Sequence, residues 1–105
     1  MNAGRLDKRI IIERLDATED EIGQPVEAWI PTYSVWAAIE PLQGREYISA
    51  MAVQAERTVR IRIRYLPGIV PSMRVLYQGR VFAIQSVINI REGNDELHLM
   101  AREQA

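Results

Sequence analysis

Apolar and polar side chains alternate along most of this chain, and a period of two is the mark of strands. The clearest run is 58–65. Val59, Ile61, Ile63 and Tyr65 fall on one side, and Thr58, Arg60, Arg62 and Arg64 on the other, because successive side chains of a strand point to opposite faces. A slip of one residue would turn these guanidinium groups into the core, so the register is firmly set. Residues 9–14 (RIIIER) predict a first strand. Residues 26–30 and 35–39 predict a second, interrupted near Pro31. Proline cannot donate to a ladder, so Pro31 marks a bulge, a kink or an edge. Residues 73–77 and 80–90 predict two strands joined through Gln78-Gly79, a two-residue hairpin signal. Residues 96–102 predict the last strand, with Leu97, Leu99 and Ala101 inward and His98 on the surface.

Two segments depart from this alternation. Residues 15–25 carry Asp16, Glu19, Asp20 and Glu21 and no basic residue, with Gly23 and Pro25 as punctuation. They predict a mobile loop whose single apolar anchor is Ile22. In residues 46–56, Ile48, Met51, Ala52 and Ala55 recur at helical spacing, which predicts a short amphipathic helix. Its apolar stripe is narrow and small-sided, so it needs a neighbour to be well ordered. Residues 66–72 (LPGIVPS) and 91–95 (REGND) read as turns. The sum is a mainly β chain: one domain over residues 1–105, a small antiparallel β-barrel of about six strands, with the helix inserted between the second and third.

Composition narrows the function. At 105 residues and 12.0 kDa the chain is sized for one domain. Hydrophobic residues make up 48% and charged residues 26%, the balance of a globular protein. With 13 basic and 14 acidic side chains the net charge is −1, which excludes a strongly basic DNA-coating protein. Cysteine is absent, so no disulfide, thiol nucleophile or thiolate metal site is possible. His98 is the single histidine, a poor basis for a metal site. The opening MNAGRLDKRI lacks the apolar run of a signal peptide, and no membrane span is expected. None of Ser34, Ser49, Ser72 and Ser86 sits in a nucleophile elbow. The acids of 15–25 lie in polar surroundings that do not tune a carboxyl group by burial, and no phosphate-binding glycine loop occurs. No enzyme activity, catalytic residue, cofactor or metal is expected.

The basic side chains hold more information. Among them only Lys8 is a lysine, and Arg57, Arg60, Arg62 and Arg64 form a stripe. Such a stripe reads in three ways: a solvated face paired with glutamates across the sheet, a subunit contact, or a track for phosphates. Barrels that bind single strands interleave aromatic platforms with their charges. Here Tyr65 lies on the opposite face and Phe82 is a core candidate. Trp29 and Trp36 are candidate partner anchors, at least one of which is expected to pack internally. Acidic Asp16, Glu19, Asp20 and Glu21 and basic Arg60, Arg62 and Arg64 are separated in sequence. They are a candidate subunit interface, since head-to-tail contacts of opposite sign close into rings.

Several motifs occur together in order: the opening MNAGRLDKRI, DEIGQ before Trp29, VWAAIEPL at 35–42, GREY at 44–47, RIRY at 62–65 and GRVFAIQSVIN at 79–89. As a set spanning nearly the whole chain they resemble the phage head–tail joining proteins, also called head-completion, head-closure or stopper proteins. The resemblance implies a virion protein, made in the host cytoplasm, that forms a homo-oligomeric ring, commonly a dodecamer. The ring would lie below the portal or adaptor protein. It would retain packaged DNA in its channel and offer a face to a tail-completion or tail-terminator protein. The same resemblance implies that Leu42, Gln43, Gly44, Arg45, Glu46 and Tyr47 form a channel or gating loop. The alternative reading of the residues is a small nucleic-acid-binding β-barrel.

Overall fold

The computed structural model describes residues 5–41 and 58–104. Its strands are β1 (Lys8–Glu19), β2 (Pro25–Pro41), β3 (Thr58–Arg64), β4 (Arg74–Tyr77), β5 (Arg80–Asn89) and β6 (Glu96–Gln104). They form a closed antiparallel barrel in the order β1-β2-β3-β6-β5-β4. Closure rests on a short ladder in which Ile11, Ile12 and Glu13 of β1 face Leu76, Val75 and Arg74 of β4. Among the described residues, helical structure is limited to the 3-10 turn Ile90–Glu92. The helix expected at 46–56 and the loop expected at Leu42 to Tyr47 both lie outside the described residues.

The period-two pattern finds its core. Ile10 and Ile12 of β1, Ala37 of β2, Ile61 and Ile63 of β3, Val75 of β4 and Phe82 and Ile84 of β5 are all buried, as are Leu97, Leu99 and Ala101 of β6. A barrel this narrow is filled by its own side chains. Apart from the two alanines, each of these residues contributes about 1.5–3 kcal/mol by leaving water. Ile69 and Met73, from the connection between β3 and β4, join the same core. The Tyr33 hydroxyl donates to the Pro67 carbonyl at 3.0 Å and ties β2 to that connection.

β2 is continuous, and Pro31 stands at a bulge as its chemistry requires. Tyr33 faces Ile12 and Pro31 faces Glu13, which leaves Thr32 as the extra residue. A second bulge, at Gln85 of β5, lies between the Ile84–Ala101 and Ser86–Met100 pairs. The turn between β4 and β5 places Gln78 at φ 48° and Gly79 at φ 80°. Two left-handed residues give a hairpin turn whose twist matches that of the strands.

The acidic segment 15–25 departs from its expected form. It is not a loop. β1 runs on to Glu19 and β2 starts at Pro25, with Leu15 facing Trp29 and Glu19 facing Pro25. Pairing the two backbones satisfies the facing amide and carbonyl groups, water takes the outward ones, and no apolar side chain is needed, so composition alone does not betray these strands. β4 accompanies β1 only as far as Glu13, and β3 accompanies β2 only from Ala37 to Pro41. Residues 14–30 therefore leave the barrel as a two-stranded ribbon.

Candidate functional site

The arginines of β3 alternate as predicted, but Arg62 is not a solvated group. Its side chain is 4% exposed. The Arg62 Nε donates to Glu40 Oε2 at 3.0 Å and its Nη1 to Glu96 Oε2 at 3.2 Å. Arg60 Nε reaches the other oxygen of Glu40 at 3.2 Å, and His98 Nε2 lies 3.0 Å from Glu96 Oε1. A continuous chain, Arg60–Glu40–Arg62–Glu96–His98, thus crosses β2, β3 and β6. Strand order explains it: Glu40 faces Arg60 on one side, and His98 faces Arg62 on the other. His98 belongs to this network, with a side chain 19% exposed, and is not the surface histidine that alternation suggested. Arg62 is its one nearly buried member, and removing it takes a partner from two carboxylates at once, which is costly.

A second cluster anchors the ribbon where it leaves the barrel. Arg74 Nε donates to Glu13 Oε1 at 2.7 Å, and the guanidinium stacks 4.2 Å from the Trp29 ring. Glu13 is buried. Trp29 is therefore the more buried of the two tryptophans, half-buried against Arg74. At the far end of the wall Arg80 makes a bidentate contact with Glu103, at 2.9 and 2.8 Å. The hydrogen bond to Glu103 raises the Arg80 pKa above its already high ordinary value.

The ribbon tip is built by one side chain. Asp20 Oδ1 accepts from the backbone N–H of both Ile22 and Gln24, each at 2.9 Å. Gly23 takes φ 82°, a left-handed conformation that glycine adopts without strain. Ile22 is held at the apex, 77% exposed. Asp16 lies 4.0 Å from Arg14. Glu19 and Glu21 have no ion-pair partner among the described residues.

At the opposite end of β1 lies a cleft of about 710 Å³. Arg9 faces Trp36 across the β1–β2 ladder, and its guanidinium stacks 5.1 Å from the indole. Its Nε donates to the Ser34 hydroxyl at 3.2 Å. Ala37 pairs with Ile63, so the next step of that register sets Arg64 beside Trp36. Trp36 is 52% exposed, and Tyr65 and Leu66 line the same cleft. Stacked or adjacent guanidinium and indole groups of this kind are common at protein contacts.

The model of the family described as phage head completion protein matches residues 1–104. The chain belongs to that family. Its place is accordingly the phage virion. Head completion protein gp7 of Enterobacteria phage HK97 is 33% identical over 89 residues, 80% of each chain. The solution structure of protein SF1141 from Shigella flexneri 2a superposes with a TM-score of 0.85 at 34% identity, over 100% of this chain and 98% of that one. A chain from the virion of a native gene transfer agent particle shares the fold, with a TM-score of 0.66 and 21% identity over 97% of each chain.

Of the residues singled out in the sequence, the structure gathers Asp16, Glu19, Asp20 and Glu21 on one ribbon. It holds Arg60 and Arg62 on carboxylates of their own chain. It leaves Arg64 exposed, in the cleft with Trp36. Arg9 was not marked by the sequence. Its position opposite Trp36 follows from pairing between strands, and nothing in RIIIER announces it.

Proposed function

We propose that this head completion protein is a structural ring component of the head–tail connector. Copies of the barrel assemble head to tail, as a dodecamer by family resemblance, below the portal or adaptor protein. The assembled ring closes the DNA-filled head and offers the tail-completion or tail-terminator protein its docking face. The observation that carries this reading is the family match over residues 1–104. The distribution of charge supports it: an acidic ribbon at one end of β1 and, at the other, a cleft that presents Arg9 and Arg64 suit a heterologous contact that closes on itself.

The test is complementation. Particles made without this protein should package DNA, lose it on standing and fail to take tails, and purified protein added to those heads should restore tail attachment. Heads that mature normally without it would remove the proposal. A role for Leu42 to Tyr47 in retaining DNA rests on the family resemblance. Shortening that segment should then give heads that fill and leak. Tight, salt-sensitive binding of the free protein to DNA, with no effect on heads, would instead support the nucleic-acid-binding barrel.

A further inference from the structure

We propose that the cleft between Trp36, Arg64 and Tyr65 receives the ribbon tip, Glu19 to Gln24, of a second copy of the chain. The inference rests on the ring reading above and specifies the contact that would build the ring.

The two surfaces are complementary. The cleft presents Arg9 and Arg64, neither of which has a carboxylate partner among the described residues, around an indole left half in water. Glu96 also lines it, but its carboxylate is engaged by Arg62 and His98. Asp95 lines it too and is the one acid there without a side-chain partner among the described residues. The tip brings Glu19 and Glu21, together with Ile22 at 77% exposure. An apolar side chain flanked by two carboxylates fits an aromatic floor flanked by two guanidinium groups, and charge-assisted pairs of this kind set partner and register.

Both surfaces are also pre-organised. Asp20 holds the tip through two backbone N–H groups. Arg9 is fixed by Ser34 and Trp36. Little conformational entropy remains to be lost on contact.

The contact cannot form within one chain. The ten residue steps from Arg9 to Glu19 lie on a single strand, roughly 33 Å at about 3.3 Å per residue. That strand is paired throughout, so the tip cannot turn back to its own cleft. A second copy is required. A tip-to-cleft contact uses two different patches, so it is heterologous and generates a ring or a filament.

The chain has no cysteine, which makes the test direct. Particles assembled with a chain carrying Ile22→Cys and Leu66→Cys together should, on mild oxidation, give a ladder of covalent oligomers that either single variant lacks. In parallel, Glu21→Arg and Arg64→Glu should each lower incorporation into particles roughly tenfold, and the two together should restore most of it. Folding of every variant is checked by circular dichroism. Particles that contain several copies of the double-cysteine chain but yield no ladder overturn the contact and leave the ring standing. Particles that contain one copy or none overturn the ring itself. If Arg64→Glu causes DNA loss that Glu21→Arg does not rescue, the cleft meets nucleic acid and the proposal is wrong.

Discussion

The wall formed by β3 and β6 and the ribbon formed by residues 14–30 treat charge in opposite ways. In the wall, Arg60 and Arg62 meet Glu40 and Glu96 within the chain, at 3.0–3.2 Å, above a core of Ile61, Ile63, Leu97 and Leu99. In the ribbon, the acids have no apolar face beneath them, and Glu19 and Glu21 have no base beside them among the described residues. These four charged groups of the wall are paired within the chain. The ribbon is finished locally but leaves Ile22 and its carboxylates outward. The lesson is that a run of charge in the sequence does not by itself indicate a partner surface. Acids and arginines together read as an interface candidate, yet Arg60 and Arg62 are held by glutamates of their own chain, the first of the three readings of that stripe.

The largest expected effect lies beneath the wall. Ile63→Ala should lower the unfolding free energy by about 2–5 kcal/mol through lost burial and a residual cavity, as measured by denaturant unfolding. Ile22→Ala on the ribbon should change it by less than about 0.5 kcal/mol. Equal losses at the two positions would erase the distinction between wall and ribbon.

Next comes the arginine pair that the same strand divides. Arg62→Ala should cost about 1–3 kcal/mol, because it removes the nearly buried partner shared by Glu40 and Glu96 and leaves them only Arg60 and His98. Arg64→Ala, on exposed surface, should stay within about 0.5 kcal/mol. Thermal unfolding of the two variants side by side checks the difference, and a mild Arg62→Ala would return that residue to the solvated class.

A smaller and more local change is expected at the tip. Gly23→Ala places a Cβ at φ 82°, where open space surrounds it but the backbone itself is strained by about 1–2 kcal/mol. The loss should appear as faster amide exchange across residues 16–27, with β3 and β6 unchanged. Loss of protection in β3 as well would show that ribbon and barrel open as one unit.

The smallest effect should be a gain. Gln78 holds φ 48° in the turn between β4 and β5. Gln78→Gly should relieve this strain and raise stability by a few tenths of a kcal/mol, up to about 1 kcal/mol. The midpoint of denaturant unfolding is the measurement, and a decrease would mean that the Gln78 side chain contributes more than its backbone costs.

Alternation was enough to read most of this fold. It marked the inward faces of β3 and β6, because a strand half-buried in a barrel must separate apolar from polar at every second residue, while residue chemistry marked the Gln78-Gly79 turn and an irregularity at Pro31, left open between bulge, kink and edge. The ribbon escaped it for the same reason. Residues 26–30 did read as a strand, but with no core on either side the acidic residues 15–25 carry no periodic signature, and their pairing is a backbone matter. The candidate site was legible only in part: the acids of 16–21 do gather on one element, whereas the cleft at Arg9, Trp36 and Arg64 draws on three strands.

What the sequence determined alone was which residues share a face, since that depends on position along one strand. Which residues become neighbours was decided only by the tertiary structure. Arg62 meets Glu40 across 22 residues and Glu96 across 34 because strand order places β3 between β2 and β6. The same strand order separates Arg62 from Arg64, two residues apart on one face. One is buried between two carboxylates and the other stands at an open rim. Neighbourhood across strands follows from topology and register, and no single strand encodes either.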